Sequence, residues 1–324
     1  MSEWRASAPA NIALIKYMGK TNSDINLPTN GSLSLTLEKL RTYVVIQVLT
    51  DKTEDQWQCL DEMGLEKITL SEKGRLRFLK AWLFLKKFFA IEGSFVIRSA
   101  NNFPADCGIA SSASSFAALT LASYEVAKDL GKKSLDVNLQ KLAELSRGFS
   151  GSSCRSFIGP LCEWSDAVQS VESTYENLFH YVVIVDAAKK QVSSSEAHLR
   201  VQTSQLFNGR AERAQWRLQA VKECLVDTSI TSWKKLFQLC WEEFWDMHAL
   251  FETSDPNFGY MRPESLFVQE QVRKLWSAFQ DGPLLTMDAG ANIHFVWRKD
   301  QKTMAHAFKA ELENKKFKVI IGND

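Results

Sequence analysis

Apolar positions recur along this chain with two periods, and the period separates strands from helices. Residues 10–16 form an apolar strand ending on Lys16. Residues 26–37 alternate apolar and polar positions after a Pro/Asn/Gly turn, the pattern of a half-buried strand. A valine-rich strand is predicted at 42–49, and two shorter strand-like pieces lie around Glu62-Met63-Gly64. Residues 76–89 read as an apolar helix with lysines and arginines between its core positions. A strand at 94–99 leads into a loop, a helix at 117–130 leaves it, and a further helix spans 139–146. The second half opens with a buried strand at 178–187. Two or three helices rich in tryptophan and phenylalanine follow over 204–252, then one at 264–279. Strands at 284–288 and 292–298, a helix at 302–313 and a strand at 316–321 close the chain. That closing order suits a ferredoxin-like α+β layer. A boundary just before residue 178 divides the chain into units 1–177 and 178–324. No internal repeat or long linker interrupts them.

Composition adds bounds rather than chemistry. The chain has 324 residues, 45% hydrophobic and 24% charged, ordinary for a soluble globular protein with a real core. A net charge of +1 gives no reason to expect nucleic acid, which would call for a basic stripe. No apolar run reaches membrane-spanning length, so no membrane partner is expected. The N-terminal stretch lacks an apolar signal core, and the six cysteines show no C-x-x-C spacing. They read as reduced thiols, and the expected location is cytoplasmic.

The stretch 103–118, F-P-A-D-C-G-I-A-S-S-A-S-S-F-A-A, is the one candidate phosphate cradle. Pro104 and Gly108 suit a tight loop, and Ser111 and Ser112 fall where the next helix starts. Free N–H groups, hydroxyls and the helix dipole converge at such a point. The plainer alternative is a strand-to-helix loop with a good N-cap. Two commoner motifs are excluded. Gly19-Lys20-Thr21 ends like a P-loop, but Leu14 stands where that pattern needs glycine, and no G-x-G-x-x-G follows a strand.

The pattern P-x-x-x-G-I-A-S-S-A at 104–113 resembles the phosphate loop of the galactokinase, homoserine kinase, mevalonate kinase and phosphomevalonate kinase (GHMP) superfamily. The opening P-A-N-I-A-L-I-K-Y-M-G-K from Pro9 to Lys20 is similar to the opening of mevalonate diphosphate decarboxylases. So are L-P-T-N-G-S-L-S from Leu27, S-G-S-S-C-R-S from Ser150, V-S-S from Val192 and M-D-A-G-A-N from Met287, in that family's order. The resemblance implies an α+β fold of two lobes. An N-terminal lobe of mixed sheet and helices, like ribosomal protein S5, would bind ATP. A ferredoxin-like layer would form the other lobe, with the active site in the cleft between them. It implies ATP-dependent decarboxylation of mevalonate 5-diphosphate to isopentenyl diphosphate, through phosphorylation of the 3-hydroxyl.

The residue types fit that chemistry. A tertiary alcohol leaves poorly and must first become a phosphate ester. Asp288, at a strand end before small residues, is placed to accept the hydroxyl proton or orient that oxygen. Lys16 would pair with it and keep it ionised. Arg155 offers a planar fork for the departing carboxylate. By the resemblance, Ser150, Gly151 and Ser152 contact substrate, and Tyr17, Lys20 and Ser194 surround its diphosphate. Gly108, Ser111, Ser112 and Ser114 line the ATP phosphates, with Mg2+ bridging phosphate oxygens. The sequence identifies no protein ligand for that metal, and the histidines read as structural. The same residues taken singly are a turn aspartate, a surface lysine, a surface arginine and an ordinary Gly-Ser loop. Three positions depart from the pattern: Met18 for tryptophan, Ala291 for proline, and Ser195 where arginine or threonine is usual. Without a charge at Ser195, weaker diphosphate binding or a monophosphate substrate stays open; a 3-kinase that stops short of decarboxylation is the other alternative on the same fold, disfavoured by the retained Asp288, Arg155 and Lys16. A non-catalytic metabolite or nucleotide sensor is the remoter reading. A homodimer is carried over from the family.

Overall fold

The computed structural model describes every residue except 1, 23, 51–53, 105–110, 132–136 and 189. The first half holds strands β1 (Glu3–Ile15), β2 (Lys20–Asn22), β3 (Leu27–Pro28), β4 (Ser32–Leu49), β5 (Gln56–Cys59) and β6 (Glu66–Lys67). Helix α1 (Glu72–Phe88), β7 (Ser94–Asn101), α2 (Ser111–Asp129) and α3 (Leu139–Arg147) follow. A 3-10 turn at Gly151–Ser156 precedes β8 (Leu161–Trp164) and β9 (Val168–Ser170). The seven-stranded sheet runs β5-β7-β4-β8-β9, with β1 on β4 and β6 on β7. Only β5 pairs in parallel, so the sheet is mixed as expected.

β1 and β4 differ from the sequence reading. β4 is one strand of 18 residues rather than two, and β1 reaches back to Glu3. The register of β1 on β4 shifts between Pro9 and Ala10. A bulge there flips the side-chain faces. Trp4 and Ala8 therefore pack in one core with α1 and α2, whereas Ala10, Ile12 and Leu14 pack in another. Both faces of β1 beyond the bulge are covered, as its unbroken apolar run suggests, and β4 is buried at every position from Ser32 to Leu37, so the half-buried alternation expected at 26–37 is absent there. α2 lies on β1 and β4. Its small residues allow close approach, and its buried hydroxyls are satisfied locally: Thr120 donates to the Phe116 carbonyl and Ser123 to that of Leu119, both at 2.8 Å.

The second half is β10 (Phe179–Ile184), α4 (Ser194–Arg200), α5 (Arg210–Leu225), α6 (Ile230–Glu252), α7 (Pro263–Phe279), β11 (Leu284–Thr286), β12 (Ile293–Trp297), α8 (Lys302–Asn314) and β13 (Lys318–Asn323). Its antiparallel sheet has the order β11-β12-β10-β13. The central pair β10 and β12 flanked by β13 and β11 is the ferredoxin-like arrangement. The larger core is shared between the halves. Ile12, Leu14 and Leu35 of the first sheet meet Val182 and Phe295 of the second and Trp233 and Phe244 of α6. Cys154, Cys162, Cys224 and Cys240 are buried free thiols.

Candidate active site

β1 is buried from Ala8 to its end, and Lys16 follows at once. At 1% exposure, Lys16 is a nearly dry cation. Its Nζ donates to the Ala13 carbonyl at 2.7 Å and to Asp288 Oδ1 at 2.8 Å. Its backbone N–H donates to Glu243 Oε1 at 2.9 Å, and its carbonyl accepts from Asn30 Nδ2 at 2.9 Å. Burial lowers its pKa, and the Asp288 carboxylate opposes that shift without cancelling it. Asp288 sits two residues past β11, where Thr286 donates to the same Ala13 carbonyl at 3.1 Å and ties the two sheets together. The Asp288 side chain is 26% exposed and faces an open cleft of about 370 Å³.

The cleft walls carry Lys16, Lys20, Arg77, Arg155 and Lys190 against the carboxylate of Asp288, among the described residues. Five cations thus face one carboxylate in a single concavity of a near-neutral chain, which favours a polyanion there. Arg155 comes from the 3-10 turn and is 4% exposed. Its Nε and Nη2 both donate to Asn11 Oδ1 at 3.3 Å, and Nη1 to Ser32 Oγ at 2.7 Å. Among the described residues no carboxylate is in ion-pair range of this guanidinium. Neutral oxygens hold it in place, and a buried cation so held favours an incoming anion.

Ser150, Gly151 and Ser152 line the cleft beside Ser111 and Ser112 at the start of α2. Ser112 Oγ lies 3.4 Å from Ser150 Oγ, so the two serine segments touch. A Cβ on Gly151 would stand 2.6 Å from Tyr17 Cε1, so the tyrosine ring can pack there only against glycine. That ring also contacts Trp164 and His198, and burial pushes its phenol well above the usual value. Lys20 Nζ donates to Asn26 Oδ1 at 2.7 Å; burial, then Arg77, lowers its pKa. Ser194 lines the cleft at the first turn of α4, with Ser193 capping that helix and Ser195 beside it.

Of the residues singled out from the sequence, one lies outside the described residues and one is not brought here. Gly108 lies outside the described residues. Ser114 is fully buried behind the helix start: its Oγ is 2.6 Å from Thr42 Oγ1 and donates to the Ser111 carbonyl at 3.2 Å. A hydroxyl one turn into α2 faces the sheet instead of the cleft. Conversely, Arg77, Lys190 and His198 line the cleft without having been singled out. Arg77 was visible as a basic position on an apolar helix. Its guanidinium lies 5.0 Å from the Phe116 ring, donates to the Phe149 carbonyl, and has its pKa lowered by burial. His198 Nδ1 accepts the Gly19 N–H at 3.0 Å, and burial followed by the Lys20 charge brings its pKa to about 3. It is a neutral ring with its remaining proton on Nε2.

Comparison with known proteins gives the family. The diphosphomevalonate decarboxylase-like N-terminal domain matches residues 8–175, and the mevalonate 5-diphosphate decarboxylase C-terminal domain matches 180–320. Diphosphomevalonate decarboxylase from Aspergillus fumigatus is 31% identical, over 94% of this chain and 80% of that protein. The Homo sapiens enzyme is 30% identical, over 88% of this chain and 74% of its own. A mevalonate diphosphate decarboxylase structure from Legionella pneumophila superposes with a TM-score of 0.90 at 39% identity, covering 98% of this chain and 100% of the other. One from Enterococcus faecalis gives 0.83 at 26% identity, covering 99% and 97%. A related structure holds MVAPP, AMPPCP and magnesium; it gives 0.84 at 26% identity, covering 99% and 97%. The chain belongs to the diphosphomevalonate decarboxylase family.

Proposed function

We propose that the cleft binds ATP and mevalonate 5-diphosphate and carries out phosphorylation and decarboxylation in succession. Asp288 takes the proton of the 3-hydroxyl as that oxygen attacks the γ-phosphorus, and the bond from phosphorus to the ADP oxygen breaks. The bond between C3 and the phosphate oxygen then breaks, and inorganic phosphate leaves with the electron pair. The C1–C2 bond supplies the electrons of the new C2=C3 bond, and the carboxylate departs as carbon dioxide. Lys16 holds the Asp288 carboxylate in place and aims it at that hydroxyl. Arg155 takes the substrate carboxylate, and Ser150, Gly151 and Ser152 supply donors around it. Tyr17, Lys20 and Ser194, with Arg77, surround the diphosphate, and Ser111 and Ser112 meet the phosphates of ATP.

The observation that carries this reading is buried Lys16 paired at 2.8 Å with Asp288, which opens on a cleft whose other charged walls are cationic among the described residues. Among the described residues no group of three or more His, Cys, Asp or Glu is placed to hold a metal. Magnesium would arrive on the phosphate oxygens of ATP, the usual mode for this ion. The units 1–177 and 178–324 would contribute opposite walls, Lys16 and Arg155 from one and Asp288 and Ser194 from the other. The test is to incubate the purified protein with ATP, magnesium and either mevalonate 5-phosphate or the 5-diphosphate, following ADP and carbon dioxide. Equal yields of both products from the diphosphate are expected. ADP without carbon dioxide, or turnover of the monophosphate alone, refutes the reading.

A further inference from the structure

α6 supplies none of the groups that the reaction uses, yet two of its buried side chains end on the backbone of the central pair. Glu243, 0% exposed, accepts the Lys16 N–H through Oε1 at 2.9 Å. His248 directs Nε2 at the Asp288 carbonyl, 3.2 Å away. A carbonyl only accepts, so Nε2 carries the proton. Burial, then the Lys16 charge, keeps the ring neutral by bringing its pKa to about 3. Both peptides lie just past the ends of their ladders: pairing of β1 with β4 ends at Ile15, and pairing of β11 with β12 ends at Thr286. They need hydrogen bonds from outside the sheets. The Asp288 carbonyl gains one locally, from the Gly290 N–H at 2.7 Å, and the other from α6.

Glu243 is itself held firmly. Arg210 and Arg217 of α5 both donate to its carboxylate, the latter at 2.9 Å, while Arg213 and Arg217 bind Asp246 at 2.8 and 2.7 Å. A buried ion network of this kind adds little stability over apolar residues of the same volume. What apolar residues would not supply is an acceptor fixed against the Lys16 amide.

We propose that α6 is the positioning element of this site: His248 and Glu243 fix the peptides of Asp288 and Lys16 and so set the aim of the ion pair. The proposal rests on the reading of Lys16 and Asp288 given above. Neither side chain lines the cleft, so both act through the residues they hold.

Two variants of His248 separate positioning from packing. His248→Leu fills the space without a donor, whereas His248→Gln places an amide N–H near the position of Nε2. Steady-state kinetics and melting temperature are measured for both. The expected result is a kcat lowered about 10- to 100-fold in His248→Leu, with KM for ATP within about twofold, because a small misplacement of a reacting group is costly. His248→Gln should recover most of that kcat. For Glu243, the triple variant Glu243→Met, Arg210→Met and Arg217→Met leaves no buried charge of that group unpaired. It should melt near the parent and still lose about tenfold or more in kcat. Unchanged kcat per folded molecule in His248→Leu or the triple variant overturns the proposal, as does His248→Gln as slow as His248→Leu. Asp288→Asn is run alongside. If it keeps turnover, the site reading itself fails; if it is dead while the α6 variants are fast, only the positioning role fails.

Discussion

Lowering the pH from 7.5 to 5.5 should destabilise this protein steeply, because four of its five histidines are held neutral. His198, His248 and His294 have pKa values brought to about 3, and that of His180 lies well below the usual 6.5. Burial is the main cause at all four; His294, hydrogen-bonded to His180 at 2.9 Å, also lowers His180, while the Lys16 and Lys190 charges lower His294. The sign follows from proton uptake. Below pH 6.5 the unfolded chain binds protons that the folded chain excludes, so stability is complete above 6.5 and falls as the pH drops towards 3. Each of the three groups at about 3 then costs about 1.4 kcal/mol at pH 5.5 and roughly 0.1 at pH 7.5. Those three together remove about 4 kcal/mol, and His180 adds to the loss, against a total of about 5–15 for a typical protein. Urea unfolding followed by tryptophan fluorescence at pH 7.5, 6.5 and 5.5 reads this directly. A dependence approaching four protons is expected. Equal midpoints at pH 7.5 and 5.5 would refute the neutral, buried assignment.

Three further outcomes are expected. Asp288→Asn should abolish ADP and carbon dioxide release while ATP binding, followed by titration, stays near the parent value; retained turnover removes its catalytic role. Gly151→Ala puts a methyl 2.6 Å from Tyr17 Cε1. It should cost about 1–3 kcal/mol of stability and raise KM for the phosphorylated substrate, with an unchanged melting temperature counting against the close packing. Arg77→Met should raise KM for the diphosphate substrate about tenfold, the scale of one partly buried charge-assisted hydrogen bond of about 1.5 kcal/mol. An unchanged KM would place Arg77 outside the anion site.

The pattern of the sequence carried the ferredoxin-like order of β10 to β13, because each of those segments is short, apolar and bounded by turns. It also singled out Lys16, Arg155 and Asp288, which the fold brings to one cleft, since their motifs are local. It missed the first half of β1 and merged strand β4, where pairing partners far along the chain override weak local signals. Ser114 shows the same limit: one turn of helix decides whether a hydroxyl meets the cleft or Thr42, and residue type does not record that rotation. Only the fold gathers Arg77, Lys190 and His198 around the cleft from three separate segments. Only the fold carries α6 to the backs of Lys16 and Asp288, residues 272 positions apart in sequence. Local chemistry is written in short stretches of side chains. Its alignment depends on backbone hydrogen bonds and packing between distant elements, which no single stretch contains.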